Sequence, residues 1–162
     1  VGELAERLDR IRVRANAPGV DLEAELRDRN QVTLTFGESV YEFIDERFLE
    51  RALAGLARRL YTGWVRQYRE AISTTNLNIE PNDQHDFAFE EEMHAVEASA
   101  ESSDGRVTIS TVGMQEFSVS IRRGTVRELS EREFVARATE VVPRLIQHFQ
   151  AQVAELKVRY YG

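Results

Sequence analysis

Cysteine is absent from the 162 residues, which excludes disulfide bridges, thiolate metal sites and cysteine nucleophiles. Lysine is nearly absent too: Lys157 is the only one, so almost all positive charge is arginine. No apolar run approaches the roughly 18 residues that a membrane span requires. The N-terminal stretch GELAERLDRIRVR is charged and amphipathic. It has no apolar core of a signal peptide, so cytoplasm is the expected compartment and no membrane partner is expected. No G-x-S-x-G, Walker A, G-x-G-x-x-G or H-E-x-x-H occurs, which leaves no motif basis for a hydrolase, NTPase, dinucleotide enzyme or zinc protease. An excess of positive charge is lacking as well: 21 basic against 28 acidic side chains give a net charge of −7. Bulk charge therefore does not point to a nucleic-acid binder.

What is present is an ordinary soluble composition, 42% hydrophobic and 30% charged, in a chain long enough to bury a core without metal or disulfide staples. Residues 2–16 place Leu4, Leu8, Ile11 and Ala15 at helical spacing, which predicts a short N-terminal helix ended by Ala17-Pro18-Gly19. VDLEAEL and QVTLTF then alternate apolar and polar residues around the turn RDRN, as half-buried strands do. SVYEFI, residues 39–44, reads as a third short strand, with a Ser39–Glu42 capping box as the alternative. Residues 45–73 form a long amphipathic helix, with Asp45 as N-cap. TTNLNIEPNDQHD, residues 74–86, reads as a polar linker. After it come a strand through Val96, Ala98 and Ala100, and a type I′ turn at Asp104-Gly105. The strands RVTIST and EFSVSI follow, and then a helix opened by a Ser130–Glu133 capping box that contains Pro143.

The expected fold is thus α+β. Two pseudo-repeated halves, residues 1–73 and 87–162, each carry a short antiparallel meander and a long helix, and an N-terminal helix precedes the first. Val32-Thr-Leu-Thr matches Val107-Thr-Ile-Ser at an offset of 75, and Phe48, Arg51 and Ala52 match Phe134, Arg137 and Ala138 at an offset of 86. On that alignment the first half lacks about eleven residues, mostly the loop RRGTVREL.

Residues 95–157 resemble the YbaB/EbfC family of small bacterial nucleoid-associated proteins. The resemblance is carried by Asp104-Gly105-x-Val107-x-Ile109, then Gly113, Ile121 and a long helix bearing Ala and Val. It implies a helix, a three-stranded meander and a helix, in a tight homodimer with no enzymatic activity and no cofactor. Several members bind DNA, and divergent actinobacterial relatives accompany type VII (ESX) secretion systems. The repeat makes this chain similar to a tandem, a single-chain version of the family's dimer. Two functions stay open: a non-enzymatic binding protein acting on DNA or on a protein partner, and a chaperone-like adaptor of a specialised secretion system.

The residues that would carry binding are few. Arg7, Arg10 and Arg14 fall along one side of the expected first helix, and Arg122, Arg123 and Arg127 cluster in one loop. Arg10, Arg14 and the loop trio are the candidate DNA contacts, since arginines in such sets neutralise phosphates. Trp64, Tyr68, Phe149 and Tyr160 are the candidate interface, as aromatics that two small sheets leave partly uncovered. Glu91-x-x-His94 has the spacing of carboxylate-bridged metal helices but occurs once, with only His85 and Asp86 nearby, so no metal is expected. His148 lies beside core positions and reads as a satisfied histidine.

Overall fold

The computed structural model describes residues 2–75, 77 and 80–162. The chain is α+β. Helix α1 (Gly2–Asp9) precedes strands β1 (Val13–Asn16), β2 (Leu22–Arg27) and β3 (Gln31–Phe36), a single-turn helix α2 (Val40–Phe43) and the long helix α3 (Glu46–Ser73). The same series follows again as α4 (Gln84–Met93), β4 (Glu97–Glu101), β5 (Val107–Val112), β6 (Glu116–Ile121), α5 (Thr125–Glu128) and α6 (Glu131–Tyr161). Each strand triplet is an antiparallel meander, ordered β1-β2-β3 and β4-β5-β6. Among the described residues no helix is long and apolar enough to cross a membrane.

The repeat is closer than the sequence suggests. β2, β3, α2 and α3 start at 22, 31, 40 and 46, while β5, β6, α5 and α6 start at 107, 116, 125 and 131, each 85 residues later. Register obeys the same offset. Val13 stands opposite Leu26 and Leu22 opposite Phe36; Ala98 stands opposite Thr111 and Val107 opposite Ile121. The expected offsets of 75 and 86 are therefore replaced by one, and the first half lacks nothing. The offset of 75 paired a third strand with a second, because both carry the same V-T-x-[ST] alternation.

Four local expectations change. Residues 11–16 are not helix: α1 ends at Asp9, and Ile11, Val13 and Ala15 are buried while Arg12, Arg14 and Asn16 are exposed, the period-two pattern of β1. Ile11 and Ala15, four residues apart, suit either period, and the open edge of β2 decides for the strand. Residues 39–44 form α2 and not a strand; Ser39 lies at φ 64 and makes no capping bond, so the Ser39–Glu42 box is absent too. Residues 84–93, placed partly in the linker, form α4, the counterpart of α1. The Asp104-Gly105 hairpin is not type I′. Only Gly105 has positive φ (73), and the Ser102 N–H closes a longer loop on the Val107 carbonyl at 2.8 Å. Paired positive-φ residues occur instead at the tips of β2–β3 (Asp28, Arg29) and β5–β6 (Gly113, Met114). Pro143 does not end the last helix: α6 runs through it, with Val141 and Leu145 buried on either side. Tertiary packing there outweighs the lost hydrogen bond.

One core joins the halves. Each long helix packs on strands of its own sheet and on the third strand of the other, α3 on β1, β2 and β6, and α6 on β4, β5 and β3. At the centre Phe36, Tyr41 and Phe134 form a triangle of rings with centroids 5.3, 5.7 and 6.2 Å apart. The Tyr41 hydroxyl crosses to the second half, donating to the Leu129 carbonyl at 2.9 Å. Burial, helped by the nearby Glu46, Glu131 and Glu133 charges, pushes its pKa up to about 12, so it stays a donor at neutral pH. Beside it Glu50 accepts from the Ile121 N–H at 2.7 Å, and Glu46 accepts from the N–H groups of Gly124 (3.2 Å) and Val126 (2.9 Å). Gly124, the N-cap of α5, has no side chain to cap with, so a carboxylate of the first half supplies the cap.

This lock is made once. The positions 85 residues after Glu46 and Glu50 are Glu131, which is exposed, and Val135. Glu46→Ala and Glu50→Ala are each expected to lower stability by about 1.5–3 kcal/mol, the range for hydrogen bonds to a charged group. Glu131→Ala is expected to cost under about 1 kcal/mol; urea titration of the three variants checks the contrast.

The second hairpin has its own acid-sensitive clasp. Asp104 accepts from Ser102 Oγ at 2.8 Å, from the Arg106 N–H at 3.1 Å and from Arg137 Nε at 2.8 Å. Partial burial would raise the Asp104 pKa, but these hydrogen bonds and the Arg137 charge reverse that and hold it at about 2, below its ordinary 3.8. A depressed carboxylate stabilises the fold above its unfolded pKa and loses that contribution as pH falls through the folded one. Stability is therefore expected to drop from about pH 4 to pH 2, with a shallower drop in Asp104→Asn, read from denaturation midpoints across that window.

Candidate anion-binding groove

β1 is an edge strand, and α3 runs beside it. Arg12, just before the strand, and Arg14 on it flank the buried Val13, and Arg51, Arg58, Arg59 and Arg66 form a stripe on the helix. Together they line a groove of about 850 Å³ in which no acidic residue takes part. The stripe follows from spacing: positions 48, 51, 55, 58, 59, 62 and 66 recur every three to four residues and share one face of α3.

Backbone contacts fix the two walls. Arg59 Nη1 donates to the Asn16 carbonyl at 3.0 Å and Gln67 Nε2 to the Arg12 carbonyl at 2.7 Å, satisfying acceptors that an edge strand leaves unpaired. Close approach depends on Gly63: a Cβ built there would lie 2.5 Å from Val13 Cγ1. The floor carries Phe48, with the Arg51 guanidinium 5.8 Å from its ring centroid.

The charge in the groove is largely unspent. Arg14 pairs with Glu25 at 3.0 Å; the hydrogen bond to Arg14, against some burial, and the charges of Arg14, Arg12 and Arg27 hold Glu25 below the usual carboxylate range. Among the described residues the other five arginines form no ion pair, and Arg12, Arg58 and Arg66 make no side-chain hydrogen bond. With the six groove arginines counted out, a chain of net charge −7 becomes −13 elsewhere.

The second half has the same walls with one arginine in place of six. Arg144 donates to the Glu101 carbonyl at 2.9 Å and Gln152 to the Glu97 carbonyl at 2.6 Å, the equivalents of Arg59 and Gln67. Yet the positions 85 residues after Arg12, Arg14, Arg51, Arg58 and Arg66 hold Glu97, Ser99, Ala136, Pro143 and Ala151. Opposite Ala98, where the first half has Gly63 against Val13, stands His148, its Nδ1 2.9 Å from the Ser99 carbonyl. One backbone frame therefore carries six cations on one side and a polar, partly acidic face on the other.

Of the arginines expected to contact DNA, Arg14 lies in the groove. Arg10 follows α1, outside the groove lining, and Arg7 sits on α1, donating to Thr74 Oγ1 at 2.7 Å, so the three do not share a helix face. Arg122, Arg123 and Arg127 are exposed together around the start of α5 in the other half, away from the groove, with Arg122 Nη2 3.3 Å from the Asp104 carbonyl. Arg12 is hidden by the helical spacing of residues 2–16, and Arg51, Arg58, Arg59 and Arg66 become a site only where α3 meets β1. Read as a strand, residues 11–16 alternate and set Arg12 and Arg14 on one face. Of the interface aromatics, Trp64 stacks on Tyr68 with centroids 5.1 Å apart, and Trp64 and Phe149 line one cavity. Tyr160 lies apart, packing on His85 and Phe89 and donating to Glu92 at 2.8 Å. His85 Nε2 lies 2.6 Å from the Tyr160 carbonyl, and among the described residues no three His, Asp or Glu are placed to hold a metal ion.

No protein-family model, curated protein or solved structure matches the chain.

Gly63→Ala is expected to destabilise by about 1–3 kcal/mol, since Val13 is buried and stiff at χ1. Adding Val13→Ala, which reproduces the small strand residue of the second half, should recover part of the loss; thermal melts of the single and double variants measure it.

Proposed function

We propose that the chain is a non-enzymatic DNA-binding protein that holds the phosphate backbone of a duplex in the groove between β1 and α3. The observation that carries this reading is the six-arginine lining without an acid, on a chain that is otherwise strongly acidic. Among the described residues five of these arginines form no ion pair, so a polyanion gains charge-assisted hydrogen bonds without breaking ion pairs there. Arg51 to Arg66 spans fifteen helical residues, roughly 22 Å, which matches about six base-pair steps of one strand. The acidic remainder of the surface would turn the duplex toward this face alone. The resemblance to YbaB/EbfC-like nucleoid proteins supports the same choice of ligand, with the tandem standing for their dimer.

The test is fluorescence anisotropy with labelled duplex DNA over a salt series. The slope of log K against log salt is expected near −0.9 per phosphate contacted, so about −4 to −5 if five or so arginines engage. Arg58→Ala and Arg66→Ala should each weaken binding on all sequences alike and lower the slope by about one. Neutralising Arg122, Arg123 and Arg127 together should change it far less. Binding that survives loss of Arg12, Arg58 and Arg66 but disappears with the loop trio would move the site to α5. No binding at low salt would remove DNA as the ligand.

A further inference from the structure

A second concavity lies between the halves, on the pseudo-twofold relation that exchanges α3 with α6. It is a cavity of about 250 Å³, larger than the roughly 150 Å³ engineered cavity that admits benzene. Leu53 and Trp64 of α3, Val142 and Phe149 of α6, and Val32 and Phe117 of β3 and β6 are among its walls. All six are half-buried, so the slot opens to solvent between the long helices.

Its lining is elongated along the two helices. Leu53 to Trp64 is eleven residues of helix, roughly 16 Å. The lining on α6, from Ala138 to Gln150, runs a similar length, so a volume of about 250 Å³ lies along the two helices and suits one extended chain. Polar groups are few, as in binding pockets generally. Tyr61 and Gln150 line the cavity, and their side chains form no hydrogen bond among the described residues. Burial raises the Tyr61 pKa, which keeps the hydroxyl a donor. The Trp64 indole N–H is buried without an acceptor.

We infer that this cavity binds a single-chain amphiphile: a medium-length acyl chain lying between α3 and α6, with its oxygen-bearing end accepting a hydrogen bond at the lining. The walls supply apolar contact along the chain, and donors without partners supply the orientation. The site is separate from the arginine groove and does not depend on what that groove holds.

Trp64 is the only tryptophan, so its emission reports on this site. Titration of the full chain with decanoate, kept below its micellar range, is expected to shift Trp64 emission saturably with one site per chain, confirmed by calorimetry. Ala57→Phe and Val142→Phe each place a ring in the cavity from a different helix and are expected to weaken binding at least tenfold. Circular dichroism identifies the folded variant if one of the two fails to fold. Absence of a saturable emission change and of binding heat would overturn the proposal. So would unchanged affinity in the folded variant, or many weak sites in place of one.

Discussion

Three hydrogen bonds from two carboxylates hold the second half in place against the first. Glu46 and Glu50 occupy the first turns of α3, yet their oxygens meet backbone N–H groups of the other half, at the end of β6 and the start of α5. The arrangement is favourable twice over. A carboxylate near a helix N-terminus complements the dipole of its own helix, and here it also caps a second, single-turn helix whose Gly124 cannot cap itself. Beside those bonds Tyr41 reaches the Leu129 carbonyl and packs in the Phe36–Tyr41–Phe134 ring cluster. The lock therefore sets how α3 lies across β6, which in turn fixes the slot between the two long helices.

The lock is also where the pseudo-symmetry fails first. A homodimer with the same backbone would be obliged to make every contact twice. A single chain is free to make the polar contacts once and to fill the equivalent places with Val126 and Val135. The same freedom accounts for the groove. Gln67 and Gln152, like Arg59 and Arg144, keep one structural task in both halves, tying a long helix to the carbonyls of an edge strand. The residues around them have no such task, and there the halves diverge from arginine to Glu97, Ser99, Ala136, Pro143 and Ala151. What is common to both halves is what the frame requires; what differs is available for binding.

The class of fold, the two halves, the Asp45 cap of α3 and the Ser130–Glu133 capping box of α6 were legible in the sequence, because each rests on a local rule acting over a few residues. The misreadings share a cause. Residues 11–16 satisfy a helical and a strand period at once, and only the unpaired edge of β2, a tertiary fact, chooses between them. α2 and α5 are single turns set by positive φ at Ser39 and Gly124, too short for any periodicity. α4 buries no residue, so it has no apolar stripe to find. Arg14 was found as a candidate and its groove partners were not, since the groove exists only where a strand and a helix distant in sequence come side by side.

That single choice between helix and strand has a consequence for charge. On a helix, Arg12 and Arg14 would point about 200° apart, and neither would reach the α3 stripe together with the other. On a strand they fall on one face, about 7 Å apart, while Val13, on the opposite face, sits against α3 where Gly63 has no side chain. Val13 and Gly63 on one side, Ala98 and His148 on the other, are two ways of filling the same contact, large strand residue with none on the helix or the reverse. Around the first, six guanidinium groups share one groove. The second sets an imidazole there, near the Ser99 carbonyl. The polarity of the molecule thus rests on which residues flank two equivalent strand–helix contacts, and the net charge of the chain, taken as a whole, conceals it.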